Sequence, residues 1–356
     1  MNRQLIAWRG IAATIMVLVH TVLMTTVYPH RWGFTTLTGW SNTVAACLSL
    51  FSMYVVPVFL FVSGAFFAYA TRVQPGKYPI RLIWTNLSHI LPPYLIWSIV
   101  FYLLIYLTDG TTFTFPIYIK AILVGYPFDF VPLLVAWILV SPLIARANKP
   151  VALSLLAAIG IYQVILINLQ TPGIVGVTFP AWMEIFTPKV IGGTMTLYGI
   201  YFPMGLVFSR YAKEFYPWLS KFRILLLALN GILLAADIAG TLALWHAPWW
   251  LPYACPLLLM FLLPLIQRDQ IPFFHFMEKV GVHSYGIYLT NLIILDLLLN
   301  LLKQTAPWLL NQSLPLILAL AVITLGIQLL VMQGMKKWHL NRPIAWYLRK
   351  GSLKPG

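Results

Sequence analysis

Long apolar runs alternate along this chain with short polar segments. A helix that crosses a bilayer needs about 20 mostly apolar residues, and read on that criterion the pattern predicts ten spans. They lie near 6–27, 45–70, 82–107, 127–145, 151–168, 190–209, 223–245, 250–266, 284–302 and 313–334. The predicted fold is therefore all-α: a polytopic membrane protein of about ten transmembrane helices. A single transmembrane domain occupies 1–334, and a short basic tail occupies 335–356. The first run has no small-residue cleavage site after it and carries Arg9 and His20, so it reads as a retained helix and not a signal peptide. Residues 112–126 are apolar but too short to span, which leaves a re-entrant and an interfacial helix both open.

Composition sharpens this picture. Hydrophobic residues make up 60% of the chain and charged residues 9%, against about 25% charged in an ordinary soluble domain. A soluble enzyme of this size could not cover its surface with so little charge. The formal net charge of +15 would fit nucleic-acid binding, but its distribution points elsewhere. With the N-terminus inside, nineteen of the 23 Lys and Arg residues fall on the cytoplasmic side, and only Arg31, Lys120, Lys189 and Lys303 face outward. That bias is the positive-inside pattern of a plasma (inner) membrane protein in a prokaryote, with both termini cytoplasmic. Membrane lipids are then partners, with the basic tail lying on anionic headgroups, and no nucleic acid is expected. Cys47 and Cys255 both lie inside apolar runs and read as buried free thiols. The outward loops 28–44, 108–126 and 169–189, together with HAPWWLPY at 246–253, are rich in aromatic residues. Such residues anchor at the membrane interface and also stack on sugar faces.

Ionisable side chains inside spans are costly and mark function by default. In the first span Arg9 and His20 are eleven residues apart, which is about 1100° of helical rotation and ~16 Å of rise. Both then lie on one face, with Arg9 at the cytoplasmic headgroups and His20 near the bilayer centre. A cation at the mouth and a titratable base half-way down suit a ligand with an anionic head and a reactive tail. Acyl-coenzyme A has that shape, with phosphates that attract Arg and a thioester on a slim arm. Alternatively, Arg9 snorkels to lipid phosphate and His20 bonds a neighbouring helix. Asp237 and Asp296 are the acids deepest in spans. Either could orient His20 as a carboxylate does in a triad, with Asp296 the stronger candidate, or each could cap a polar neighbour. Asp129 and Glu184, near Trp182, lie at the outer face, where they could bind acceptor hydroxyls or simply be solvated. The sequence has no Cys/His cluster with metal spacing, no phosphate-cradling Gly loop and no Ser-centred elbow.

The stretch WRGIAATIMVLVH (8–20) resembles the opening signature of the acyltransferase-3 family of integral membrane acyltransferases. Further stretches are similar to that family in the same order: FLFVSGAFFAY (59–69), ILPPYLIWS (90–98), FVPLLVAWILVSPLI (130–144) and HSYGIYLTN (283–291). The resemblance runs from Arg9 to about Asn291. It implies transfer of an acyl group, typically acetyl, from cytoplasmic acyl-CoA to a hydroxyl of a glycan, lipid-linked or other extracytoplasmic acceptor. Acyl-CoA is then a co-substrate, and no tightly bound cofactor or metal is implied. His20 matches the family's general base and Arg9 the arginine that assists the coenzyme or orients the base. Two positions depart from the pattern. The basic Arg-x-x-Arg before Leu-Pro-Pro-Tyr is replaced by Asn86 and His89, so either the nearest cations, Arg72, Lys77 and Arg81, take over the phosphate contact or the donor differs, and His89 is a second base, a coenzyme contact or a structural residue. The late Leu-Ile-His is replaced by Thr290-Asn291, which makes Asn291 a candidate substrate contact. Two rival functions remain at this stage: a transporter or flippase of an amphipathic substrate, and a non-catalytic family member that binds lipid or sugar.

Overall fold

The structure is a computed structural model, and it describes residues 2–34, 39–73, 80–111, 113–311 and 313–337. The described residues are helical, without strands. In chain order the helices are α1 (Asn2–Arg31), α2 (Gly39–Leu50), α3 (Ser52–Val73), α4 (Ile80–Asp109), α5 (Phe115–Val124), α6 (Phe130–Arg146) and α7 (Lys149–Gln170). They continue as α8 (Gly192–Tyr198), α9 (Tyr201–Arg210), α10 (Ala212–Lys221), α11 (Arg223–Thr241), α12 (Leu251–Leu262), α13 (Phe274–Thr305) and α14 (Ser313–Lys337). Among the described residues seven segments are long and apolar enough to cross a membrane: Arg3–Arg31, Gly39–Thr71, Leu82–Thr108, Lys149–Gln170, Arg223–Thr241, Phe274–Thr305 and Leu314–Met335. Each corresponds to one of the ten predicted spans. The other three predicted spans form shorter helices. Run 127–145 is α6, run 250–266 is α12 with a 3-10 turn to Leu265, and run 190–209 divides into α8 and α9. The apolar stretch 112–126 carries the ten-residue α5. Most of the basic tail, from residue 338 on, lies outside the described residues.

The division between α8 and α9 has a local cause. Pro203 has no N–H, and its ring would clash with the carbonyl four residues earlier, at Gly199. Backbone groups freed within an apolar region need replacement partners, and Gln163 of α7 supplies two. Its Nε2 donates to Thr196 O at 2.8 Å, and its Oε1 accepts from the Ile200 N–H at 3.1 Å.

The chain forms two compact units. The first comprises Met1–Leu5, Met53–Leu87 and Phe113–Ile271. In it α3 and α9 run antiparallel in backbone contact. A Cβ added to Gly205 would stand 1.9 Å from Phe61 O, and one added to Gly64 would stand 2.1 Å from Phe202 O. Around this contact Phe67 packs on Phe202, and Trp137 of α6 stacks on the same ring with 4° between the planes. At the end of α6, Arg210 donates to the carbonyls of Ile144 and Ala145, and the Tyr211 hydroxyl donates to Ala147 O at 3.2 Å. A cation and donors therefore meet the unpaired carbonyls of a helix C-terminus.

The second unit comprises Ile6–Ser52, Ser88–Thr112 and Pro272–Gly356. Here α1 and α13 run parallel with a constant offset of 271 in residue number. Gly10 faces Gly281, and a Cβ on Gly10 would lie 1.8 Å from Met277 O, while one on Gly281 would lie 1.8 Å from Ile6 O. Further along, Met24 packs with Leu295 and Leu299, and α14 closes this core through Leu316 and Leu320. The α1 hydroxyls are satisfied within the helix: Thr14 donates to Gly10 O at 3.0 Å and Thr21 to Val17 O at 2.7 Å. Tyr285 of α13 donates to Ile90 O of α4 at 2.9 Å.

The glycine contact generates a stability prediction. Gly281→Ala should lower the unfolding midpoint of the detergent-solubilised protein, because its methyl group meets backbone that cannot move aside. Overpacking of this kind costs ~1–3 kcal/mol. Gly326→Ala on α14, with nothing within 4 Å of its added Cβ, should fall within ~1 kcal/mol of the parent, on the stabilising side. Equal midpoints for the two variants would show that the close approach does not hold α1 to α13.

Candidate functional site

His20 sits on the unbroken α1, so the helical spacing from Arg9 stands: the same face, and ~16 Å along the axis. The imidazole is partly accessible. Its Nδ1 lies 2.7 Å from Asn291 Nδ2 on α13, at the same 271 offset as the glycine pair. Asn291 is buried, and its Oδ1 accepts from Gln328 Nε2 of α14 at 3.2 Å. The same Nε2 donates to the backbone oxygen of Ile287, also at 3.2 Å. Three helices thus contribute to one polar chain, from Ile287 through Gln328 and Asn291 to His20. His20 Nε2 has no hydrogen-bond partner among the described residues.

Other polar atoms stand along the same helices. Ser284 lies one heptad before Asn291 on α13, and Thr324 one turn before Gln328 on α14. Both are buried, and Ser284 Oγ, Thr324 Oγ1 and Gln328 Oε1 have no hydrogen-bond partner among the described residues. Arg9 is partly exposed, yet its Nε is buried without a partner among the described residues. Buried polar atoms are usually satisfied, so an orphaned guanidinium nitrogen leaves a donor available to an anionic ligand.

The remaining sequence candidates fall as follows. Asp296 is buried on α13, five residues past Asn291, which turns it about 140° away around the helix. The partner of His20 Nδ1 is Asn291, not Asp296, because the parallel register places position 291 opposite position 20. Asn291 itself was expected as a substrate contact, but both ends of its amide are engaged by protein side chains. His89 is partly exposed on α4 in the same compact unit. The side chains of Arg72 and Arg81 lie outside the described residues.

Asp129, Trp182 and Glu184 belong to the first compact unit. Asp129 occupies the N-cap position of α6, and Trp182 and Glu184 share a 3-10 turn, Ala181–Phe186. All three are exposed, Trp182 at 65%. Trp182 packs edge-on against Phe186, whose carbonyl accepts from the Tyr162 hydroxyl. Asp237 is buried in that unit and interacts electrostatically with Tyr54 and Cys255. Among the described residues no group of three or more His, Cys, Asp or Glu could hold a metal ion. Sequence reasoning missed Gln328. Its one signal is an amide in an otherwise apolar run, and nothing in that run names its partner.

Comparison with curated proteins and with solved structures gave no match. Comparison with family models gave one that spans residues 2–332, from the start of α1 into α14, and is described as an acyltransferase domain. That span takes in Arg9, His20, Asn291, Gln328, six of the seven long apolar segments and most of the seventh, so the chain belongs to the Acyl_transf_3 family of acyltransferases.

Proposed function

We propose that this protein transfers an acyl group, typically acetyl, from cytoplasmic acyl-coenzyme A to a hydroxyl of a glycan or other membrane-associated acceptor. It does so as a ten-span protein of a prokaryotic plasma membrane, with both termini cytoplasmic. The observation that carries the proposal is His20 itself. A largely buried imidazole within a membrane-spanning helix has one nitrogen held by a buried amide and the other without a partner among the described residues. That is the arrangement of a positioned reacting group, whereas a structural histidine would have both nitrogens engaged in helix contacts.

In the proposed reaction the acceptor oxygen attacks the thioester carbonyl carbon while Nε2, in the ring form that carries its proton on Nδ1, takes the hydroxyl proton. The carbon–sulfur bond then breaks, and the departing thiolate receives the proton from the imidazolium. In a variant of this route the acyl group rests briefly on Nε2 before the hydroxyl attacks. Arg9 binds the coenzyme phosphates through its guanidinium, whose Nε has no partner among the described residues, and Arg72, Arg81 and His89 are further candidate donor contacts. Trp182, Asp129 and Glu184 form the acceptor side, where an indole face and carboxylates suit a sugar. Asp296, on the same helix as Asn291, is the one acid proposed in support of the site.

Two measurements test this proposal. His20→Ala should leave the purified protein folded while reducing coenzyme A release from acetyl-coenzyme A by at least the ~10²–10⁴-fold typical of lost acid–base catalysis. Unchanged turnover would remove His20 from the chemistry, and no turnover in the parent protein would favour a transporter. Arg9→Ala should raise the KM for acetyl-coenzyme A by roughly 10–100-fold, matching the ~1.5–3 kcal/mol of a charged hydrogen bond. The kcat at saturation should change less. An unaltered KM would end the phosphate role.

A further inference from the structure

The polar chain in the second compact unit ends on a backbone carbonyl, and that end fixes the orientation of everything before it. Ile287 O can only accept, so the Gln328 atom 3.2 Å from it must be the amide nitrogen. This same nitrogen lies 3.2 Å from Asn291, which must therefore present its oxygen there. The NH₂ of Asn291 is then turned to His20 Nδ1, at 2.7 Å, and donates to it. Nδ1 accepts with its lone pair. A neutral imidazole carries one N–H, so the ring proton resides on Nε2.

Neither alternative is supported. Reversing Asn291 alone would set its NH₂ against that of Gln328. Reversing both amides would set Gln328 Oε1 against the Ile287 oxygen. Gln328 and Asn291 are fully buried, so water cannot compensate for a mismatched pair.

We infer that Gln328 is a positioning residue that, acting through Asn291, holds His20 in the tautomer protonated at Nε2. In this form Nε2 is a hydrogen-bond donor, suited to a carbonyl oxygen such as that of a thioester, and it has no lone pair with which to take a hydroxyl proton. A base-competent ring carries its proton on Nδ1 and needs an acceptor opposite it. The amide chain therefore restrains the base, and Gln328 sets how strongly. For its kinetic consequence the inference rests on the acyl-transfer proposal, but the tautomer can be observed independently of activity.

The test uses the full chain in detergent with ¹⁵N-labelled histidine, where His20 is identified by the resonances lost in His20→Ala. In the parent protein the neutral ring should show a protonated Nε2 and an unprotonated Nδ1. Asn291→Asp provides a carboxylate that accepts from both Gln328 Nε2 and His20 Nδ1, and it should reverse the pattern. Gln328→Leu frees the Asn291 amide to turn and should give a mixture; it carries the test if the aspartate variant fails to fold. A misplaced tautomer can cost a histidine base ~10⁴-fold, so coenzyme A release from acetyl-coenzyme A should rise at least ~10-fold in Asn291→Asp and less in Gln328→Leu. The KM should stay constant in both. A parent ring protonated at Nδ1, or a Gln328→Leu ring identical to the parent, would overturn the inference and leave acyl transfer standing. The expected tautomers without transfer by any form would uphold the inference and remove the acyl-transfer proposal.

Discussion

Two glycines in backbone contact set the geometry on which the candidate site depends. Gly10 of α1 and Gly281 of α13 approach so closely that a methyl group on either would collide with the main chain of the other helix. Lipid chains are as apolar as leucine, so helices in a bilayer gain little from burying leucine against leucine, and close approach through small residues takes over as the source of association. That contact also fixes register. With Gly10 against Gly281, the parallel pair carries the same offset forward to His20 and Asn291 and then to Met24 and Leu295. A slip of one residue would rotate each partner by about 100° and take Asn291 off the imidazole.

The choice of partner follows from the medium. A carboxylate opposite His20 would make a better base, but an ionised group in a low-dielectric interior is expensive unless it is fully paired. Two neutral amides fill the same positions without a charge. Their cost is directionality: an amide has a donor end and an acceptor end, so each link dictates the next until a fixed carbonyl, here Ile287 O, decides the whole chain. The buried hydroxyls of Ser284 and Thr324 on the same two helices extend this uncharged polar lining.

Much of the helical layout was legible in the sequence because a span is a one-dimensional property. A run of about 20 apolar residues forms a helix whatever it packs against, and seven of the runs do so. The break at Gly199 was partly legible, since Pro203 must disturb a helix. Its repair was not, because Gln163 lies 37 residues earlier in the chain than the Ile200 N–H that it accepts. At the site, His20 was conspicuous as an imidazole in an apolar helix. Asn291 was visible only as a departure from a motif, and its expected substrate role gives way to a side-chain partnership with His20. Gln328 was invisible for a related reason. A lone amide in an apolar run must bond something, but sequence does not say which helix lies beside it. Asp296 was the expected orienting group because depth in a span was visible; direction around the helix, which places Asn291 at His20 Nδ1, was not.

The family-like stretches divide by the kind of constraint each residue meets. Gly64, within Ser-Gly, is excluded from bearing a side chain by the Phe202 backbone. Leu-Pro-Pro-Tyr follows Ile90, whose carbonyl takes the hydroxyl of Tyr285 from the late motif, so two matching stretches are joined by a single bond. These are constraints of assembly, and any membrane protein using this helix arrangement would need them whatever reaction it ran. Arg9 and His20 differ in kind. An arginine with an orphaned buried nitrogen and a histidine with an unengaged one are both costly to leave so within a bilayer, and packing offers no compensation for either. The groups left for the proposed chemistry are therefore on α1, while the glycines and tyrosines of the motifs hold the helices around it in place.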